Sequence, residues 1–320
     1  MNIARTKAEL RALIAEARKA GRSIGFVPTM GFLHEGHASL LRQARSENEV
    51  TVLSIFVNPL QFGPNEDLDR YPRDEVRDLA VARETGTDIV FIPSVQEMYP
   101  EKPLTKVIIS QVTEQLCGAS RPGHFDGVGT VVSKLFHLVQ PDKSYFGMKD
   151  AQQVAVIQQM VDDLNFPVDI VACPIVREPD GLALSSRNVY LGPEHRRQAV
   201  VLSKTLKEAE EWIAHPGMTV ERLTEMVKSR IGEASEAVLD YAELLYYPGL
   251  QAPDGKARVC ELNQPLLLAL AVKFGSTRLI DNRLFEKAEV MEIVQNDDEI
   301  EAAQSDRNGS ELELCGQYNH

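Results

Sequence analysis

Two histidines three residues apart, His34 and His37, stand in the string PTMGFLHEGH, Pro28 to His37. The apolar run Ser23 to Val27 before it reads as a short buried strand, and helical spacing follows from about Gly36 to Glu47. A strand-to-helix junction of this kind lies at the carboxyl end of a strand, where open α/β sheets bind ligands. Gly31 and Gly36 allow the backbone to approach an anion closely, and the helix start offers amide groups and a favourable dipole. Imidazoles three apart share one face if the helix reaches back to them, and two of them there suit charge developing at a phosphorus atom. An H-x-x-H pair is also half of a metal site. No third or fourth ligand stands near it in the sequence, so no dedicated metal site is expected.

Three other segments carry candidate groups. YFGMKDAQQ, Tyr145 to Gln153, again spans a strand end and a helix start. Gly147 permits a tight turn there, Asp150 is expected to cap the helix, and Lys149 would face the carboxyl edge of the sheet, in reach of a phosphate. In REPDGLALSSRN, Arg177 to Asn188, a Pro-Asp-Gly turn leads to Ser185, Ser186 and Arg187, two hydroxyls and a guanidinium suited to a polyphosphate. Such a loop could close over a ligand. FVNPLQFGPNEDLDRYPRD, Phe56 to Asp74, follows the strongest strand and would bring the neutral amides of Asn58 and Gln61 to the same edge. The glycine-rich CGASRPGHFDGVGT, Cys117 to Thr130, carries Arg121 and His124, whose roles the sequence leaves open; it could line the cleft, and turn chemistry explains its glycines equally well.

The elements that must position these groups alternate. Helix is expected over residues 6–20, strand over Glu49–Val57, helix over Asp74–Gly86 and strand over Asp88–Pro93. Helix over Thr130–Val139, strand over Lys143–Gly147, helix over Ala151–Leu164 and strand over Val168–Pro174 continue the series. That order argues for a parallel α/β sheet. The texture then changes: helices near Glu194–Ile213 and Val220–Glu233 precede strands near Val238–Tyr246, Arg258–Leu262, Leu266–Phe274 and Arg278–Ile280. We therefore expect a body over 1–175, a smaller α+β lid over 176–285, and a polar tail over 286–320 that reads as disordered.

Composition narrows the class. The chain has 320 residues, 43 % hydrophobic and 25 % charged, which fits about two globular domains and no fibrous or wholly disordered chain. Of the net charge of −13, the last 35 residues, Glu286 to His320, carry −8, so the body is only mildly acidic and no nucleic-acid partner is expected. The longest apolar run near the C-terminus, Leu266 to Val272, is seven residues, against roughly 20 for a membrane span. The charged N-terminal segment has no apolar core, so no secretory signal is expected. Cys117, Cys173, Cys260 and Cys315 lie far apart, as expected of unpaired thiols in a cytoplasmic protein.

Taken with RPGHFDGVGTVVSKLFHLVQPD and the terminal TRLIDN, these motifs resemble the pantothenate synthetase (pantoate–β-alanine ligase) family over nearly all of residues 1–283. The resemblance implies a Rossmann-like nucleotidyltransferase sheet with a smaller second domain. It also implies ATP-dependent joining of pantoate and β-alanine through a pantoyl adenylate, with Mg²⁺ entering on ATP, and a homodimer. By the same resemblance, Met30, Gly31, Phe32, Leu33, His34, Glu35, Gly36 and His37 form one ATP-binding segment, with His37 as proton donor. Gly147, Met148, Lys149 and Asp150 form a second, with Lys149 on the phosphates. Val176 contacts the nucleotide through its backbone. Leu184, Ser185, Ser186 and Arg187 match a synthetase KMSKS-type loop, with Leu184 where methionine is common. Gln61 and Gln153 match the glutamines that bind pantoate, Gln61 lying also near β-alanine. The acidic tail lies outside the resemblance.

Two other readings share the fold. A related nucleotidyltransferase would need basic residues for a second phosphorylated substrate, and the neutral Gln61 and Gln153 argue against it. A nucleotide-binding protein without catalysis would be favoured by loss of His37, Lys149 or Arg187, and all three are present.

Overall fold

The computed structural model describes residues 1–64 and 66–286. Six parallel strands form one sheet in the order β1-β4-β3-β2-β5-β6: β1 (Asn2–Ala4), β2 (Ile24–Thr29), β3 (Val50–Ile55), β4 (Ile89–Phe91), β5 (Lys143–Gly147) and β6 (Asp169–Cys173). Central strands of such a sheet are buried on both faces, so they read as continuous apolar runs, and β3 (VTVLSI) shows this. Helices α1 (Lys7–Lys19), α2 (Glu35–Glu47), α3 (Glu75–Glu84), α4 (Val95–Met98), α5 (Leu116–Ser120), α6 (His124–Val139) and α7 (Ala151–Leu164) accompany it. Adjacent residues of β2 face opposite ways. Phe26 enters a core with Leu10, Phe136 and Ile157 from α1, α6 and α7, while Val27 enters another with Leu41 of α2 and Ala82 of α3. The chain leaves β2 on one side and returns at β5 on the other, so the strand order reverses between them. Ligands bind at such a switch point, beyond the carboxyl ends of the strands.

The second sheet is an antiparallel meander, β7 (Ala237–Tyr246), β8 (Leu266–Phe274) and β9 (Thr277–Phe285), preceded by α8 (Pro193–Gln198), α9 (Val201–Ile213) and α10 (Val220–Gly232). The apolar run of β8 is explained by burial on both faces. Leu266, Leu268, Leu270 and Val272 pack against α9 and α10, whereas Leu267 and Ala269 join the core of the parallel sheet.

Several expectations are corrected. The segment 117–130 is mostly helical rather than a run of turns, and its Cys117, Ser120, Arg121, His124 and Phe125 do border a cavity. Its glycines serve close packing: a Cβ on Gly127 would stand 2.3 Å from the Leu60 carbonyl oxygen, and one on Gly129 would stand 2.8 Å from Ile109. The helix expected near Glu194–Ile213 breaks between Gln198 and Val201, and Arg258–Leu262 holds a 3₁₀ turn rather than a strand. The final strand runs far beyond Arg278–Ile280, because the polar residues that mask it in the sequence are engaged elsewhere. β1, three residues long, has no sequence signature. Asp150 sits at the N-cap position of α7 but makes no capping hydrogen bond; its carboxylate pairs with Lys149 at 3.3 Å instead. Cys117, Cys173 and Cys260 are free thiols. Cys315 and all of the acidic tail but Glu286 lie outside the described residues.

Gly127→Ala forces α6 away from the 59–61 turn. Overpacking of this kind costs about 1–3 kcal/mol, so chemical denaturation should show a clearly lowered midpoint; an unchanged midpoint would contradict the close approach.

Candidate active site

The loop after β2 is built on a buried carboxylate. Asp78 of α3, 1 % exposed, accepts hydrogen bonds from the amides of Phe32 (2.9 Å) and Leu33 (2.6 Å). Burial raises its pKa, and these two bonds oppose the rise. Gly31 and Phe32 take positive φ, +84° and +52°. A Cβ on Gly31 would lie 2.9 Å from Asp78 and from Ile55, so both conformation and space call for glycine. Thr29 Oγ1 accepts the Gly31 amide at 3.2 Å and donates to Ser54 O at 2.8 Å, tying the loop to β3.

This turn delivers the two histidines as a coupled pair. His34 is the N-cap of α2; its Nδ1 accepts the Gly36 amide at 3.1 Å, and His37 Nδ1 accepts the His34 amide at 3.3 Å. The ring centroids are 4.1 Å apart. An Nδ1 that accepts carries no proton, so each neutral ring holds its proton on Nε2. Burial, with Lys149 and Arg77 nearby, lowers the pKa of His34 to about 4. Burial, the His34 ring and Lys149 lower that of His37 to about 3. Both rings are therefore neutral N–H donors at pH 7. One expectation is corrected here: the amides of Gly31, Phe32, Leu33, His34 and Gly36 are already bonded within the protein and are not free donors at the helix start.

Lys149 emerges at the end of β5, across the switch point. Its turn is held by β9: Asn282, 5 % exposed, donates its side-chain amide to Met148 O (2.8 Å) and Lys149 O (3.0 Å). The neighbouring Asp281 is buried and holds Arg177 with two bonds, at 2.6 and 2.9 Å. Arg177 pairs with Ala183 as a bridge, and Val176 O accepts the Leu184 amide, which carries the chain to Ser185. Arg187 reaches Asp67 at 3.2 Å and lies over the Tyr71 ring. Gln61 ends a 3₁₀ turn, 8 % exposed; its Oε1 accepts from Asn58 Nδ2 at 3.2 Å and its Nε2 points to Met30 Sδ at 3.1 Å. Asn58 is fixed in turn by the Tyr99 hydroxyl at 3.0 Å.

These groups surround one cavity of about 230 Å³, lined by Met30, His34, Gly36, His37, Gln61, Gly147, Lys149, Asp150, Gln153, Val176, Leu184, Ser185, Ser186 and Arg187. Phe56, Val128, Val131, Val132 and Leu135 give it an apolar wall. Lys149, Asp150, Gln153, Ser185 and Arg187 also border an adjoining cavity of about 800 Å³, which extends to Arg121, His124, Tyr241 and Arg278. Five residues of the expected ATP segments do not line the smaller cavity. Gly31 and Leu33 are buried, Phe32 packs under Arg77, Glu35 pairs with Arg42 on the outer face of α2, and Met148 turns toward Tyr247. Among the described residues no cluster of three His, Cys, Asp or Glu is placed to hold a metal ion.

A family model described as pantoate-β-alanine ligase matches residues 2–284. The chain belongs to the pantoate–β-alanine ligase family. A pantothenate synthetase from Acetivibrio thermocellus is 55 % identical over 286 residues, covering 89 % of this chain and all of that one. The crystal structure of pantothenate synthetase from Thermus thermophilus superposes with a TM-score of 0.80 at 46 % identity, covering 88 % of this chain and 99 % of that one. A pantoate-β-alanine ligase from Francisella tularensis, solved in complex with β,γ-ATP and β-alanine, gives 0.72 at 36 % identity, with 90 % and 98 % covered. The parallel sheet is thus the family's nucleotidyltransferase fold.

Sequence reasoning missed Asp78, Tyr99, Asp281 and Asn282, which support this ligase-family site from behind. Asp78 looked like one more acidic residue in a helix's first turn, where the dipole explains it. For Asp281 and Asn282 the available signal was their place in the terminal motif TRLIDN; Tyr99 had none.

Because both folded pKa values lie below the ordinary 6.5, the unfolded chain takes up protons first as pH falls. The two histidines therefore favour the fold fully above about pH 6.5 and withdraw that contribution as pH falls toward 4 and 3. In proton NMR of the ligand-free protein their Hε1 shifts should stay flat from about pH 8 to about pH 5.5. An inflection near 6.5 for either ring would contradict the buried, Nδ1-accepting arrangement.

Proposed function

We propose that the protein joins pantoate and β-alanine at the expense of ATP, in two steps. A pantoate carboxylate oxygen attacks the α-phosphorus of ATP and the bond to pyrophosphate breaks, giving pantoyl adenylate. The β-alanine amine then attacks the acyl carbon, the bond to the AMP oxygen breaks, and the nitrogen gives up a proton. A carboxylate is a poor acyl donor at neutral pH; the mixed anhydride supplies a good leaving group.

The observation that carries this reading is the meeting of two donor sets in one cavity at the β2/β5 switch point. One set is the two neutral imidazole Nε2–H groups with Lys149, Ser185, Ser186 and Arg187, suited to a triphosphate. The other is the neutral amides of Gln61 and Gln153, which share the cavity with its apolar residues and suit a small branched hydroxy acid. Holding the two reactants side by side lowers the entropic barrier, and the fixed donors meet charge developing on the phosphoryl oxygens. Neutral imidazoles donate without carrying a desolvated charge before the nucleotide arrives. We assign Lys149 and Arg187 to the phosphates, His34 and His37 to the reacting phosphoryl group, and the backbone of Val176 with Met30, Gly36, Gly147, Asp150, Leu184, Ser185 and Ser186 to the nucleotide. Mg²⁺ enters as part of the nucleotide substrate, held by phosphates and water. Residues 1–175 bind both first-step substrates and 176–285 cover them. A cytoplasmic homodimer rests on the family resemblance.

The test is pantoate-dependent exchange of labelled pyrophosphate into ATP, with Mg²⁺ and without β-alanine. Exchange that requires pantoate, turning into net AMP release on adding β-alanine, is the expected result; a folded protein that binds ATP without exchange would reject the proposal. His37→Ala and Lys149→Ala each remove a donor to the reacting phosphates and should slow exchange by about 10²–10³-fold. Wild-type rates in either variant would remove that residue from the mechanism. The family match stops at residue 284, so deleting 287–320 should leave the exchange rate unchanged; a large loss would give the tail a function.

A further inference from the structure

We propose that His124 and Arg121 are positioning residues for Gln61, acting through its main-chain carbonyl. This rests on Gln61 facing the acid substrate, as read above.

Gln61 closes a 3₁₀ turn, and the last carbonyls of such a turn have no partner within it. The start of α6 supplies one. His124 Nδ1 lies 2.7 Å from Gln61 O, and its Nε2 lies 3.1 Å from Arg121 Nη1. A carbonyl only accepts and a guanidinium only donates, so a single neutral tautomer fits: the proton is on Nδ1 and the Nε2 lone pair receives Arg121. Burial and the adjacent Arg121 charge lower the pKa of His124 to about 4, which keeps that tautomer in place at neutral pH. Arg121 Nη2 also reaches Gln61 O, at 3.3 Å, while its Nε and Nη2 grip Glu66 at 2.7 and 2.5 Å.

A second contact fixes the same turn. Gly127, one turn further along α6, lies so close to the main chain of Leu60 and Gln61 that any side chain would collide, and its carbonyl accepts from Asn58 Nδ2 at 3.1 Å. Asn58 in turn orients the Gln61 side-chain amide. The turn is therefore held from both ends of its last residue: His124 and Arg121 grip the carbonyl, and Asn58 the side chain. Neither His124 nor Arg121 lines the smaller cavity; both border the larger one. We place their effect on the acid substrate at Gln61, which both of them bond.

His124→Phe and His124→Asn separate positioning from bulk stability. Phenylalanine keeps a ring without a donor; the asparagine side-chain nitrogen takes roughly the place of Nδ1 and restores the bond. Leaving a buried carbonyl short of its donor is worth about one tenfold step. His124→Phe should therefore raise the exchange KM for pantoate about tenfold, with the KM for ATP within about twofold, and His124→Asn should recover most of it. An unchanged pantoate KM in His124→Phe, equal shifts in both KM values, or a folded His124→Asn no better than His124→Phe would each overturn the assignment. A readout without catalysis runs in parallel, using the ¹⁵N–¹H signals of the Gln61 side-chain amide. They should move in His124→Phe and return in His124→Asn, and no movement overturns the clamp. If wild-type protein shows no exchange, the ligase reading fails, and the amide signals alone decide the positioning role.

Discussion

One buried carboxylate sets the geometry from which the site is assembled. Asp78 takes the amides of Phe32 and Leu33 out of a loop that would otherwise offer them to solvent or ligand. That fixes two consecutive left-handed residues, which turn the chain sharply enough for His34 to become the N-cap of α2 rather than part of its body. With His34 at the cap, its Nδ1 and that of His37 face backbone amides, and both Nε2 atoms are left for the cavity. The donors this segment offers the cavity are thus two side chains rather than the amides of a helix start. The dipole still favours negative charge there.

The opposite bank of the cavity depends on the second sheet. Lys149 belongs to the parallel sheet by sequence, yet its turn is held by Asn282 from β9. The strand leading to Ser185 and Arg187 is held by Asp281 through Arg177. The final residues of the family match are thus part of the candidate site's frame although neither side chain lines the smaller cavity. A bidentate Arg177–Asp281 pair with one partner fully buried is costly to break, because it would strand a charge.

Much of this was legible in the residues. The alternation of apolar strands and amphipathic helices gave the parallel sheet, and the glycine-flanked histidines gave the strand end where ligands gather. The family motifs supplied Gln61, Lys149, Gln153 and Ser185 to Arg187, which the structure brings to one cavity. What could not be read was the partner of each backbone amide. Phe32 and Leu33 look like donors in the sequence because nothing in the string DEVRDL says that its second aspartate points inward. The segment 117–130 failed for a related reason: its glycines suggest turns, whereas Gly127 and Gly129 are present because another main chain or side chain lies against the helix. Tertiary contact overrode local propensity at both places.

The double-faced burial of β8 has a mechanical meaning. Rotating the antiparallel sheet away from the body would expose Leu245, Leu267 and Ala269, which share the body's core, at roughly 25 cal/mol for every Å² uncovered. The Asn282 bonds to Met148 and Lys149 would have to break in the same stroke. The segment around Asp67 and the turn carrying Arg187 meet instead through polar and ring contacts: the part-exposed Arg187–Asp67 ion pair, the Tyr190 hydroxyl on Arg70 O at 3.0 Å, and Arg187 over the Tyr71 ring. Parting those two loops would open the cavity without disturbing the apolar packing that holds the two sheets together.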